Sequence, residues 1–273
     1  MRTLADPFVD SKVRLRIEAE LETIERANDV RILFAAESGS RAWRFPSCDS
    51  DYDVRFVYVR PVEAYLTVGS GRDVIERPVD ATLDVSGWDL LKALRLVLRS
   101  NAVLLEWLGS PVFYRHGGGD VIRLGELARS AADRTTLAYH YHRLARHGFD
   151  QVIASVEVAR LKPYCYAVRA ALAVKWLSER RELPPMDLPS LMAGLSLPAT
   201  VRQSIDTLVG RKVDAAERDT TLRMPAIDHL VAEVLAMPVQ SLSRAPRSAL
   251  AAEADALFAQ IVLRKQTIDS SAA

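Results

Sequence analysis

The chain has little of several features that would assign it to a specialised class of protein. It contains only two cysteines, Cys48 and Cys165, which lack a metal-ligand spacing. We therefore expect reduced thiols rather than the disulfide framework of a secreted domain. The formal net charge is only +1. No global basic field thus indicates nucleic-acid or membrane binding, although a balanced total can conceal a local basic patch.

Long apolar runs are also missing from the sequence. No run approaches the length of a membrane-spanning helix, and residues 1–29 are too rich in charge for a signal peptide. We therefore expect a cytoplasmic protein with no membrane partner. Hydrophobic residues make up 49% of the chain and charged residues 26%. These proportions are normal for a soluble globular protein with a packed core.

The predicted elements divide the chain into two parts. A helix over 10–27 precedes strands over 30–36 and 51–59, a short helix from Pro61, and the strands "DVIERPV" and "ATLDVSG". Helical patterns follow Gly87, and from about residue 119 we find only helical patterns. The sequence predicts an α+β fold, with a catalytic-size α/β domain at 1–118 and an all-helical domain at 119–273.

The stretch "ESGSRAWRFPSCDSDYDVRFVYV" at residues 37–59 carries the strongest chemical signal. Because side chains alternate along a strand, Asp51, Asp53 and Arg55 project from one face of the second strand. Two carboxylates on one face of a mostly apolar strand repel each other and are costly to desolvate. A divalent cation such as Mg²⁺ would resolve both problems. The alternative is an exposed edge with a solvated face.

A third carboxylate would complete a site that holds two metal ions. Asp84 lies in the apolar strand "ATLDVSG", and Asp80, at a predicted strand entry, is the alternative. Two-metal sites of this type catalyse in-line phosphoryl or nucleotidyl displacement. We therefore predict that Asp51, Asp53 and Asp84 are both metal ligands and catalytic residues, with Mg²⁺ or Mn²⁺ as the cofactor.

Gly39 and Ser40 directly follow the first predicted strand. A glycine there lets the main chain approach an anion, and the serine hydroxyl and nearby amides can donate to phosphate oxygens. Arg41 and Arg55 are candidates for charge stabilisation during transfer. The spacing of a Walker loop is absent. An ordinary turn at Gly39 is the alternative.

These residues resemble the DNA polymerase β-like nucleotidyltransferase superfamily, in which Gly-Ser follows a strand, Asp-x-Asp lies on the next strand and a third acid on a later one. The wider pattern, including "DVSGWDLLKALRL" and "LKPYCYAVRAALAVKWL", is similar to a bacterial and phage subfamily linked to RNA ligases in RNA-repair gene clusters. The resemblance implies nucleotidyl transfer from an NTP. Where the subfamily has glycine after "SRAW", this chain has Arg44, which predicts an altered turn or an added phosphate contact.

The resemblance also directs attention to residues in the predicted helices that could hold the nucleotide, each with a structural alternative. Lys92 could meet a triphosphate or lie exposed, Asn101 could contact ligand or cap a helix, and Glu106 with Trp107 could bind a base or be buried. Lys162 and Arg169 could bind phosphates while Tyr166 stacks on a base. In the alternative, the tyrosine packs in the helical core and the two cations extend along the surface to place their charges in water.

Three functional hypotheses follow from this pattern. The first is a Mg²⁺-dependent nucleotidyltransferase that acts on an RNA 3′ end in tRNA or RNA repair, with RNA ligases or other repair enzymes as partners. The second keeps the chemistry but transfers the nucleotide to a protein hydroxyl or to a small molecule such as an antibiotic. The third is a non-catalytic nucleotide- or RNA-binding module. Retention of three mutually repelling acids argues against this last hypothesis.

Overall fold

The structure is a computed structural model that describes residues 6–69, 71–80, 82–180, 182–216, 219–239 and 247–264. A five-stranded sheet forms the first half of the fold, and a two-stranded ribbon lies in the second half. The strands are β1 (Arg31–Ser38), β2 (Tyr52–Val59), β3 (Val74–Asp80), β4 (Leu83–Asp89), β5 (Phe113–Arg115), β6 (Val158–Arg160) and β7 (Thr220–Leu222).

The helices account for most of the remaining described residues. They are α1 (Ser11–Asn28), α2 (Val62–Tyr65), α3 (Leu90–Leu98), α4 (Ala102–Leu108), α5 (Gly118–Ala131), α6 (Arg134–Ile153), α7 (Leu161–Glu179), α8 (Leu188–Gly194), α9 (Ala199–Asp214), α10 (Pro225–Ala236) and α11 (Arg247–Leu263). None of the helices in these described ranges combines the length and apolar character that crossing a bilayer requires.

The large sheet is mixed, with strand order β3-β4-β2-β1-β5. Strands β2 and β4 are parallel, and the other neighbouring pairs are antiparallel. The predicted α+β class is therefore confirmed. The parallel pair matters most for the site, because its two strands begin at the same end of the sheet.

Each face of the sheet is covered by its own group of helices. Helix α1 begins at its N-cap Asp10, whose side chain accepts from the amides of Lys12 and Val13. Its buried Ile17, Leu21 and Ile24 pack on one sheet face, where the alternate β2 residues Tyr52, Val54, Phe56 and Tyr58 contribute to the same core. The opposite face carries Asp53 and Arg55 at its polar end. Farther along it becomes apolar, at Val57 and Val59, and packs against α3, α4, α5 and α11.

The helical region has a core of its own, centred on α7. This helix is buried on most of its surface and packs against α6, α8, α9 and α10. Phe45 and Ala102, from the first half of the chain, enter this core. The small β6-β7 ribbon lies where only helices were predicted, so that part of the secondary-structure prediction was wrong. Three-residue strands carry too little alternation to be detected in a sequence.

Packing does not follow the predicted domain boundary between residues 118 and 119. Helix α5 covers the sheet, and α11 returns from residues 247–263 to pack against α3 and α5. The long-range contact of α11 with the sheet region has no signature in the local sequence. The sheet region is therefore completed by segments that the sequence assigned to the helical domain.

Candidate active site

The loop after β1 brings the main chain of Gly39 against the side chain of Asp53. Gly39 has a φ of 77°, in the left-handed region that glycine adopts at no steric cost. A Cβ atom at this position would lie 2.3 Å from Asp53 Oδ2. Ser38, the residue before Gly39, is the strand partner of Asp53. The structure thus places the predicted Gly-Ser turn beside the second predicted acid.

Asp53 and Asp84 face each other across the parallel strands β2 and β4. They are direct partners in the register, so their side chains project from the same face of the sheet. Burial raises the pKa of Asp53 to about 6 against the lowering effect of Arg55, and the charges of Asp51 and Asp84 add to the rise. Asp51 and Asp84 are therefore each close enough to Asp53 to repel its carboxylate.

Asp80, the alternative third acid, has a different role. Its Oδ1 accepts from the amides of Thr82 and Leu83 at 2.8 and 3.1 Å, and its Oδ2 forms an ion pair with Arg16 at 2.5 Å. These contacts close the turn between β3 and β4. The structure places Asp84, rather than Asp80, opposite Asp53.

Arg55 lies between the two facing acids. Its Nη2 donates to Asp53 Oδ1 at 3.0 Å and to Asp84 Oδ2 at 2.6 Å. Its Nη1 donates to the carbonyl oxygens of Val54 and Asp84, both at 3.1 Å. The predicted role of Arg55 was contact with phosphate. In this structure its guanidinium instead neutralises part of the acid cluster.

The chemistry of the acid cluster fits a divalent cation at Asp51 and Asp53. Both residues offer carboxylate oxygens, the ligands that Mg²⁺ prefers. Burial and like-charge repulsion raise the pKa of Asp53 despite its ion pair with Arg55, so additional positive charge would stabilise its ionised form. Within the described residues, however, no three Asp, Glu, His or Cys side chains are spaced as a ready-made metal site. The Arg55 guanidinium is the group that stands between Asp53 and Asp84.

Arg41 holds the loop between β1 and β2, which we call the glycine loop and define as residues 39–50. Its guanidinium donates to the carbonyl oxygens of Phe8, Ser50 and Asp51 at 2.9, 2.7 and 3.1 Å, and it stacks 3.7 Å from the centre of the Tyr52 ring. These contacts differ from the predicted contact with phosphate. Arg41 fixes the loop that precedes the first acid.

The loop residues Ser40 and Arg44 are also held by structural contacts. Ser40 is buried, and its carbonyl oxygen accepts from the amide of Phe45 at 3.0 Å. Arg44 has a φ of 71°, which explains why glycine suits this position. Its side chain forms an ion pair with Asp6 at 2.8 Å and lies 4.9 Å from the Phe8 ring. Its side chain therefore contacts the N-terminal segment, which differs from the phosphate contact that was one of the two predictions for it.

The first turns of α7 bring a cation and an aromatic ring to the site. The charge of Lys162 lowers the pKa of Asp53, which places Lys162 near the acids, and its Nζ lies 6.0 Å from the Tyr166 ring centre. Tyr166 packs edge-on against Trp43 of the glycine loop, with ring centres 4.7 Å apart. The structure thus brings Lys162 and Tyr166 together beside this loop.

Arg169 was predicted to bind phosphates, but it is buried in an ion pair. It is 3% exposed and forms an ion pair with Glu106 at 2.6 Å. It also donates to the carbonyl oxygen of Met186 at 2.8 Å and lies over the Trp43 ring. Glu106 accepts from Tyr141 as well, at 2.9 Å. The buried structural role, which was the alternative for Glu106, is the one observed for both partners.

Two further predicted nucleotide contacts and Trp107 have structural roles. Lys92 pairs with Asp73 at 3.1 Å, on a helix that begins where β4 ends, whereas Asp84 lies where β4 begins. Asn101 caps α4 by accepting from the Leu104 amide at 3.0 Å. Trp107 is buried, with its ring centre 3.9 Å from that of Trp88. Lys92 and Asn101 are therefore not brought to the acids.

Glu37 is a site residue that the sequence analysis missed. Its side chain is fully buried, accepts from the Asp53 amide at 2.9 Å and accepts from the Tyr114 hydroxyl. Burial raises the pKa of Glu37 to about 8 against the lowering effect of these hydrogen bonds. An acid at the end of the apolar run "ILFAAES" was the available signal, and its partner Tyr114 is remote in sequence.

Lys212 is a further residue that the sequence did not predict, and it joins the helical region to the glycine loop. This α9 residue is 1% exposed, and its Nζ donates to Ser47 Oγ at 2.6 Å. Ser47 in turn is hydrogen-bonded to Ser50, one residue before Asp51. A lysine in the last turn of an ordinary amphipathic helix gives no sign in the sequence that it will be buried.

The fold is a mixed sheet with a glycine turn beside acids on neighbouring parallel strands. This arrangement is that of a polymerase β-like domain followed by a helical region. Residues 13–260 match the family model "RlaP: RNA repair pathway DNA polymerase beta family". The chain belongs to this family, so the predicted resemblance is confirmed. It is also similar to the protein YcgL of Bacillus subtilis (strain 168), with 40% identity over 219 residues that cover 80% of this chain and 84% of YcgL. Membership suggests nucleotidyltransferase activity connected with RNA repair.

Proposed function

We propose that this protein transfers a nucleoside monophosphate from an NTP to an acceptor hydroxyl, with Mg²⁺ or Mn²⁺ bound at the acid cluster. The observation that carries the proposal is the direct pairing of Asp53 with Asp84 across parallel strands, with Gly39 against Asp53. Polar groups collected at one end of an otherwise apolar sheet face are costly unless they bind something. The family match supports nucleotidyl transfer as the reaction.

Each residue of the site has a distinct task in this reaction. Asp51 and Asp53 would hold the cations, and Asp84 would help to accept the proton of the attacking hydroxyl. Gly39 and Ser40 offer main-chain donors to the triphosphate, while Lys162 supplies positive charge from the helical side. When bound, two divalent cations stabilise the attacking and leaving oxygens. The acceptor oxygen bonds to the α-phosphorus, the bond to the bridging oxygen breaks, and pyrophosphate leaves.

We propose an RNA 3′ end as the acceptor, in tRNA or in a broken RNA. The support for RNA is the description of the family as part of an RNA repair pathway, and RNA ligases or other repair enzymes are the partners that such a pathway would supply. A protein hydroxyl or a small molecule is the second candidate acceptor, because the net charge of +1 does not favour a polyanion.

The reaction and the acceptor can be tested in one experiment. The protein is incubated with each α-labelled NTP, Mg²⁺ or Mn²⁺ and total RNA, and the label is sought in RNA and in protein. We expect label in RNA, and its loss in Asp53→Asn and Asp84→Asn but not in Asp73→Asn, whose partner Lys92 lies away from the acids. Label confined to protein would refute the RNA acceptor. No transfer, with NTP binding unchanged by Asp53→Asn, would favour a binding module.

A further inference from the structure

Arg55 is held by four hydrogen bonds within the protein itself. Both terminal nitrogens of its guanidinium are used: Nη2 bridges Asp53 and Asp84, and Nη1 bridges two main-chain carbonyl oxygens. Its side chain is only 17% exposed. The planar fork of arginine is suited to such a multiple contact, which the ammonium of lysine cannot reproduce.

Arg55 occupies one side-chain oxygen of each facing acid and lies where a cation between them would bind. Asp53 Oδ1 and Asp84 Oδ2 both accept from the same nitrogen. A divalent cation and a guanidinium repel each other, so binding between Asp53 and Asp84 requires Arg55 to withdraw. Among the described residues, the ion pairs of Arg55 are with these two acids. The Asp51 side of the cluster therefore presents less competition to a cation.

We propose that Arg55 is an internal counter-ion that delays the second metal ion until the nucleotide arrives. This inference rests on the proposed function. The free protein would bind one divalent cation at Asp51 and Asp53 while Arg55 holds Asp53 against Asp84. The phosphates of an incoming NTP offer Arg55 another anionic partner, in a geometry that guanidinium binds well. Asp84 is then released to a second cation, so that metal binding becomes ordered.

The test counts bound Mn²⁺ by calorimetry and by electron paramagnetic resonance, which do not depend on turnover. Wild-type protein is titrated alone and with a non-hydrolysable NTP analogue. We expect one bound Mn²⁺ without nucleotide and two with it. In Arg55→Gln we expect two bound Mn²⁺ ions without nucleotide. Its affinity for the second ion, measured without nucleotide, should be at least tenfold higher than that of wild type under the same condition. Arg16→Gln, which breaks the ion pair with Asp80 on the other side of the sheet, should behave as wild type.

The outcomes separate this proposal from the one on which it rests. Two Mn²⁺ ions bound to free wild-type protein with similar affinity would overturn the role of Arg55 and leave the proposed function intact. Both proposals would be overturned if no Mn²⁺ bound with or without nucleotide and if Asp53→Asn left nucleotidyl transfer unchanged. If Arg55→Gln fails to fold, Arg55→Lys decides the question, because it keeps the charge but loses the fork. It should bind a second Mn²⁺ without nucleotide more tightly than wild type does, and an unchanged affinity for that ion would overturn the role of Arg55.

Discussion

Replacement of Gly39 by alanine should damage the site far more than it damages the fold. The new residue would have to adopt a φ of 77°, which costs a non-glycine residue roughly 1–2 kcal/mol. Its Cβ would also lie 2.3 Å from Asp53 Oδ2, so the carboxylate must turn away from its position opposite Asp84. A misplacement of about 1 Å in a reacting site can reduce the rate roughly 10²-fold, and we expect a loss of that size or larger.

The chain offers a matched control for this substitution. Gly118 also has a positive φ, of 59°, but a Cβ there would meet nothing within 4 Å. Gly118→Ala should therefore lose a similar free energy of unfolding in urea denaturation. It should keep Mn²⁺ affinity and nucleotidyl transfer, both of which Gly39→Ala should lose. Equal activity of the two variants would refute the argument that contact with Asp53, rather than the turn alone, requires glycine.

Two further predictions concern buried charged groups. Because burial raises the pKa of Glu37 to about 8 from 4.5, the folded state binds a proton more tightly than the unfolded state, and the free energy of unfolding should fall as the pH rises through this range. Glu37→Gln should flatten that dependence in urea denaturation measured across pH, and an unchanged slope would contradict it. Arg169→Met leaves Glu106 buried without its cation and should cost about 3–5 kcal/mol in thermal or urea unfolding. Introducing Glu106→Gln into the Arg169→Met variant should recover part of the lost free energy of unfolding. A further loss would show that the unpaired charge of Glu106 was not the cause.

The strands β2 and β4, which carry Asp53 and Asp84, could be predicted because their signals are local. The alternation of Asp53 and Arg55 against buried neighbours determines which face carries them, and the structure places Asp84 in register with Asp53. Asp51 was predicted on the same strand but immediately precedes it, because β2 begins at Tyr52. Roles that depend on distant partners could not be predicted in this way. The cations at the start of α7 look equivalent in the sequence, yet Lys162 lies near the acids while Arg169 is buried with Glu106, sixty-three positions away.

Arg44 shows what a resemblance could and could not predict about a turn. The glycine expected at this position indicated a glycine-dependent turn, which arginine was expected to alter or to supplement with a phosphate contact. In the structure Arg44 adopts a φ of 71°. Such a conformation costs a non-glycine residue of order 1–3 kcal/mol. The ion pair with Asp6 and the Phe8 ring offset part of that cost. Neither contact is visible in the motif itself.

The return of α11 to the sheet has a consequence for the order in which the protein can fold on the ribosome. Strands β1 to β4 are all synthesised before residue 90. The core on the sheet face opposite α1, however, includes Ala254, Leu257 and Ile261 of α11. A nascent chain would therefore carry the acid cluster on a sheet whose apolar side is still partly uncovered. Such surface is prone to aggregation, and it stays uncovered until α11 leaves the exit tunnel and packs against α3 and α5.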